Sequence, residues 1–488
     1  MSTRDKIAHL LRRFGFGASQ SELRLLEPMG VEGALNYLID YDKVEEGFDI
    51  LPWEFCWEPD TTEVYVEPPR FTLWWTLRML MTRRPLQEKL TLFWHDHFAV
   101  SAAKVEFGPA MLTYNETLRR HAAGNYRRLL GAMSRDPAMI RWLDMDSSIK
   151  GSPNENFARE LLELFTLGPG HYSEADIKET ARAFTGYGIR YLIFESGGEQ
   201  VQEKIKEAIR LGRPMLAYAY SQDLHDDGPK TLLGKTSDFS GDAVLDLLAA
   251  RPETARHVCR KLWEWFAYPD PEPSVVERLA KAFQDSGGEI RPVLRAIAAS
   301  PEFWSEKCFR RLVKNPADFV LPVARQLELH PLLLTMRGQK DPTKPLAKPL
   351  RDGTGIAFAP MYQQGMFLLY PPNVGGWEGG TAWVSSHNML ERMKLPSLLF
   401  AKYDGGYPLA GWLAMKIASE HRPKDSAGVV EALAAIFDVP LEPDQAAVAL
   451  QACEKAGGAA ALASPETAAR LFENVCRLFF GAPSFQFC

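Results

Sequence analysis

Asn154–Leu167 reads NENFARELLELFTL, and the spacing of its apolar residues decides the fold class. At about 100° per residue, Phe157, Leu161, Leu162, Leu164 and Phe165 cover more than half of a helical circumference. Glu155, Asn156, Arg159, Glu160 and Glu163 fill the remaining arc of about 140°. Ser152–Pro153 stand before this run, and Asn154 suits the cap of a helix. A helix this apolar is built to be packed against others.

The same rhythm runs outward in both directions. It predicts helices at 70–82, 85–99, 109–122, 125–134, 154–167 and 173–185. Beyond residue 240 it predicts them again at 240–250, 252–267, 273–286, 290–300, 316–329, 383–402, 426–437, 443–456 and 465–480. Pro85 and Pro109 suit first-turn positions. Two β-like runs, 187–195 (YGIRYLIFE) and 215–220 (MLAYAY), with a polar helix between them, predict a small hairpin or sheet within 187–235. Residues 335–356 are rich in Lys, Pro and Gly and read as a flexible linker or flap. The expected fold is therefore mainly α. A large helical domain spans 1–402, with the β element inside it, and a C-terminal helical subdomain spans 403–488.

Composition narrows the function classes. The 488 residues carry 56 Lys+Arg against 62 Asp+Glu, a net charge of −6, so nothing pulls the whole chain toward nucleic acid or anionic membranes. No stretch is apolar for the roughly 18 residues that a membrane-spanning helix needs. The basic start MSTRDKIAHLLRRFGFG leads into no apolar run or cleavage site, so no secretory signal is visible. Six scattered cysteines without a CxxC argue against a disulfide framework or a cysteine zinc site. A reducing cytoplasm is the expected location. G-x-S-x-G, H-E-x-x-H, Rossmann and EF-hand patterns are missing, so hydrolase, zinc-protease and dinucleotide chemistry lack a motif.

Polar constellations carry what chemistry the sequence offers. FWHDHF places His95 and His97 two residues apart, a spacing that chelates a metal from a strand. On a helix the two rings diverge by about 200°. His97 then joins Leu86, Leu90 and Phe93 on the apolar face, and His95 joins Gln87 and Thr91 nearer a polar one. The polar arc of 154–167 reads equally as a solvated face with Glu155–Arg159 and Arg159–Glu163 pairs, or as a buried face offering Glu160 and Glu163 as ligands or acid/base. HDDGPK (225–230) sets His225, Asp226 and Lys230 on a turn that suits anion or metal binding, proton transfer, or simply the turn itself. His9, Arg12 and Arg13 precede FGFG and read chiefly as structural. In PPNVGGWEGG, Asn373 and Trp377 suggest a shaped lid or pocket wall.

Six strings occur in order: HLLRRFGFG (9–17), LTLFWHDHF (90–98), ENFARELLELFTLG (155–168), YSEADIKETARAFTGY (172–187), HDDGPKTLLG (225–234) and PPNVGGWEGGTAWVSS (371–386). Together they resemble the bacterial domain-of-unknown-function 1800 family over nearly the whole chain. The family brings no established activity. Its members often sit beside a second uncharacterised, twin-arginine-exported family, which implies a paired role, and many relatives are themselves exported. This sequence departs from them in showing no export signal.

Two functions of different class are expected to compete. The leading one is a binding or assembly protein that acts with a second protein of another uncharacterised family, through an internal polar cleft formed by Asn156, Arg159, Lys230, Asn373 and Trp377. The alternative is an enzyme with a divalent metal on His95, His97, Glu160 and Glu163, whose candidate catalytic residues are Glu160, Glu163, His225 and Asp226. If the motifs form one site, the 154–167 and 85–99 helices should meet with the 225–230 turn nearby. His97 should be buried, and His95 should be more exposed or face a polar cleft.

Overall fold

The computed structural model describes residues 1–193, 201–335, 337 and 340–488, and helices make up most of them. Proline starts many of these helices, among them Pro68–Met81, Pro85–His97, Pro252–Phe266, Pro316–Gln326 and Pro465–Gly481. Its fixed φ suits the first turn, where the missing N–H costs no helical hydrogen bond. Ser2, Ser19 and Ser173 close others with capping boxes to Asp5, Glu22 and Asp176. No helix among the described residues is long and apolar enough to cross a membrane.

The Pro85–His97 helix lies at the centre and is buried on nearly every side. It packs against Gly108–His121, Thr3–Phe14 and Gly30–Ile39. Charges on such a helix must be closed internally. Glu88 accepts from Trp75 Nε1 at 2.9 Å, Arg78 Nε at 2.7 Å and Arg119 Nε at 2.6 Å. Burial raises its pKa, but Arg119 and Arg78 outweigh that and hold it at about 2. Lys89, next along, pairs directly with Asp318.

The β content is small. Tyr187–Tyr191 pairs antiparallel with Leu216–Tyr220, Tyr187 opposite Tyr220, and Lys230–Leu232 pairs with Lys235–Ser237. The helix Val201–Leu211 stands between the first two strands in sequence, as the polar run there predicts. Residues 194 and 195 of the β-like run lie outside the described residues.

Two expectations need correction. The 335–356 segment is not a linker throughout. From Lys348 it is helix (Lys348–Gln363), anchored by buried Leu350 and Thr354, and only 336, 338 and 339 fall outside the described residues. The 154–167 helix is not uniform either. It is α-helical over Asn156–Glu160 and π-helical over Leu161–Thr166. The Leu167 N–H reaches back five residues to Leu162 O at 3.0 Å, and Thr166 Oγ1 donates to Leu161 O at 2.6 Å. Such a bulge is rare, recurs at functional sites and rotates the faces that a regular helix would present.

Residues 403–488 are tied to the rest by specific polar contacts. Arg12 pairs with Asp438 at 2.6 Å, Trp412 Nε1 donates to Leu327 O at 2.8 Å, and Arg392 donates to Gln486 at 2.7 Å.

Candidate functional site

The C-terminal end of the Pro85–His97 helix gathers side chains from several of the sequence motifs. His95 and Asp96 hold the two ends of one loop. The Leu369 N–H donates to His95 Nε2 at 3.1 Å, and the Trp377 N–H donates to Asp96 Oδ1 at 2.9 Å. Leu369 has φ of 67°, a left-handed conformation that a branched residue adopts only when its surroundings impose it. Its carbonyl takes the Ala102 N–H at 2.8 Å, so both of its backbone groups are fixed.

These bonds settle the state of His95. Since Nε2 accepts, Nδ1 carries the proton and donates to Tyr114 Oη at 2.8 Å. Tyr114 in turn donates to Phe98 O at 2.9 Å. Burial pushes the His95 pKa down to about 3, so the ring is a neutral structural brace. His95 is fully buried, contrary to the polar-face expectation. Trp75, Tyr114 and Trp377 all present edge contacts to its ring, with Trp377 at 5.3 Å.

His97 is buried as expected, stacked on Phe93 at 6.1 Å. Its Nε2 donates to Tyr126 Oη at 3.1 Å, and Tyr126 donates to the carbonyl of Phe165 in the π-helical segment. His97 Nδ1 is left buried without a partner. Next to it, at 6.2 Å between rings, His257 donates from Nε2 to Leu164 O at 2.9 Å. Two carbonyls at the end of the π-helix are thus satisfied by side chains of other helices.

Asp96 and Lys261 complete the site. Burial raises the Asp96 pKa to about 6, against the Trp377 N–H and the Lys261 charge, which pull it down. Burial lowers the Lys261 pKa, opposed by Asp96 and Glu264. The His257 pKa is lowered to about 4, first by burial and then by Lys261. Lys261 makes no ion pair or hydrogen bond among the described residues, unlike Glu88 and Lys89 on the central helix. An acid and a base with pKa values moved toward neutrality, acting on each other without direct closure, form a place able to hold a polar group or move a proton.

The other sequence candidates fall elsewhere. Glu163 accepts from Tyr172 Oη at 2.5 Å, not from Arg159. Arg159 instead forks onto Glu174 at 2.9 and 3.0 Å, with Glu155 at 3.5 Å. Glu160 has its pKa raised by burial and by Glu163, against the pull of Arg159. Asn156 donates to Asp144 at 3.2 Å. The HDDGPK turn closes on itself and on the helix before it. His225 Nδ1 contacts Thr185 O at 2.9 Å, Asp226 pairs with Arg182 at 2.8 Å, and buried Lys230 donates to Asp226 O at 2.7 Å and Gly228 O at 3.0 Å. None of these contacts reaches His95 or His97. Asn373 is exposed and shapes its own loop by accepting the Gly375 N–H at 2.8 Å.

The helices do meet as expected, through Phe98 and Phe165 at 4.9 Å, but Glu160 and Glu163 bond elsewhere. Among the described residues no group of three or more His, Cys, Asp or Glu side chains is placed to hold a metal ion. Both nitrogens of His95 are already engaged. Asp96 stands inside FWHDHF, where the spacing of its flanking histidines is the stronger local signal. Lys261 and His257 sit on a helix whose sequence marks them only as polar positions.

No curated protein and no solved structure matches this chain significantly. The match to the family described as "Protein of unknown function (DUF1800)" extends over residues 9–487, nearly the full length, and the chain belongs to that family.

Proposed function

We propose that the protein acts by binding, and that Asp96 and Lys261, which act on each other electrostatically, hold a carboxylate-bearing segment of a partner protein. The observation that carries this reading is the open pair itself. Among the described residues the Lys261 ammonium has no ion pair, and the Asp96 carboxyl takes only the Trp377 N–H. A ligand carboxylate would complete Lys261, and a ligand N–H would complete Asp96. The clamped loop Leu369–Trp377 fixes Asp96 from one side through the Trp377 N–H. Six free, buried cysteines fit action in a reducing cytoplasm.

The test is fluorescence anisotropy with labelled short peptides ending in a free carboxylate, beside their amidated counterparts. Preference for the free carboxylate, lost in Lys261→Met with the melting temperature kept, supports the reading. Equal binding of both forms overturns it. The alternative, a divalent-metal enzyme on His95, His97, Glu160 and Glu163, is tested by elemental analysis of protein purified without chelator. Stoichiometric metal would revive it.

A further inference from the structure

A groove of about 1610 Å³ opens beside the start of the Pro85–His97 helix, at the opposite end from Asp96. Eleven residues at 1.5 Å each separate Pro85 from Asp96, about 16 Å along the axis. Asp96, Lys261 and Trp377 do not line the groove, so it stands independently of the reading above. Its floor is apolar and buried, with Leu26, Leu38, Leu77, Met81, Leu329 and Leu399. Its edge exposes Leu25, Leu398, Tyr403 and Met415, which are 48%, 44%, 54% and 59% accessible. Large apolar side chains gathered this way on a surface mark a place that something covers.

Size and charge indicate what that is. Pockets for small ligands run to about 1,000 Å³, and this one is well beyond that. A helix 10–12 Å across would fill the same volume over about 14–20 Å, roughly ten to fourteen residues. Most acids of the rim are already neutralised. Arg325 pairs with Glu22 at 2.7 Å, Lys416 pairs with Glu328 and Glu420, and Lys348 pairs with Asp352. Asp404 is the lining carboxylate with no such pair among the described residues. Arg83 and Lys402 are cations whose side chains have no partner among the described residues. His330 Nε2 is buried beside the groove without a partner. The uncompensated rim charges are thus two cations against one carboxylate.

We propose that this groove seats an amphipathic helix of a partner protein, about three to four turns long, apolar on one face and acidic along its flanks. The apolar face would cover Leu398 and Met415, while flank carboxylates would meet Arg83 and Lys402. Rim charges then set the choice of partner and its orientation, and the buried floor sets the affinity.

The test uses the full chain and two labelled helical peptides of about fourteen residues with the same Leu/Met face, one flanked by Glu and the other by Lys. The Glu-flanked peptide is expected to bind at least about tenfold tighter by anisotropy. Met415→Glu and Leu398→Glu, both at exposed positions, should each weaken it about tenfold with unchanged melting temperatures. Combined Arg83→Glu and Lys402→Glu should invert the preference between the peptides. Equal binding of the two peptides overturns the proposal, as does loss of binding only where the fold is lost. Displacement of both peptides by palmitate, with palmitate binding sensitive to Met415→Glu, would reassign the groove to an acyl chain. Self-association that Met415→Glu abolishes would reassign it to a second copy.

Discussion

Asp96 and Gly376 approach so closely that a methyl group on the glycine would sit 2.4 Å from the Asp96 carboxylate and 2.6 Å from its carbonyl oxygen. With φ of 85°, Gly376 also holds a backbone shape that other residues resist. The contact lets the Trp377 N–H reach Asp96, so the GGW element of the loop is a fitted part of the site. Gly376→Ala is expected to cost about 2–4 kcal/mol, from left-handed strain plus the clash. Chemical denaturation reads this directly. A loss under about 0.5 kcal/mol would mean that the loop moves away freely.

Asp96 itself makes stability depend on pH. Its carboxyl holds a proton up to about pH 6 in the folded chain, against an ordinary value of 3.8. Between those values the folded state binds the extra proton, so the stability this group contributes is full below about pH 4 and is lost as pH rises through 6. Asp96→Asn keeps an acceptor for Trp377 and removes the charge. The variant should be more stable than the parent at pH 8, by an amount of order 1–3 kcal/mol, and equal to it near pH 4. Melts across that range decide the point, and a variant less stable at pH 8 would show that the carboxylate is welcome where it sits.

His95→Phe tests the other end of the clamp. The substitution keeps an aromatic ring against Trp75 and Tyr114 but strands the Leu369 N–H, a buried donor. The expected cost is about 1–3 kcal/mol. Because the folded ring stays neutral while the unfolded imidazole takes a proton below about pH 6.5, the parent is itself weaker at pH 5, so the loss should be full at pH 8 and smaller at pH 5 by about 2 kcal/mol. A loss confined to low pH would contradict the assigned tautomer.

Much of the fold was legible because helical spacing and proline starts are local signals. His97 was placed correctly by the wheel, since Phe93 and Leu90 share its face. His95 was misplaced by the same wheel, because Gln87 and Thr91 suggested a solvent side that this helix does not have. Its charges are closed by Arg119 and Asp318, 31 and 229 residues away, and no local pattern announces that. Lys261 was invisible for a related reason. A lysine beside Arg260 reads as solvated until packing shows what covers it. Of the two pairs expected along Glu155, Arg159 and Glu163, the first forms at 3.5 Å and the second fails at the π-helical turn, because i,i+4 reasoning holds only while the turn stays regular.

Glu163 offers the sharpest check on that last correction. In a regular helix it would pair with Arg159, and Glu163→Gln would be coupled to Arg159→Met. In the structure it takes the hydroxyl of Tyr172 and sits beside Glu160, whose pKa it helps to raise. The double-mutant cycle of Glu163→Gln with Tyr172→Phe should therefore give a coupling of about 1–2 kcal/mol, as for a charge-assisted bond at a half-buried site. The cycle with Arg159→Met should give near zero. Glu163→Gln should also lower the pKa of Glu160, since a like charge leaves its side, and carboxyl titration by NMR would follow that directly. Strong coupling to Arg159 would restore the regular helix and with it the solvated ion-pair face.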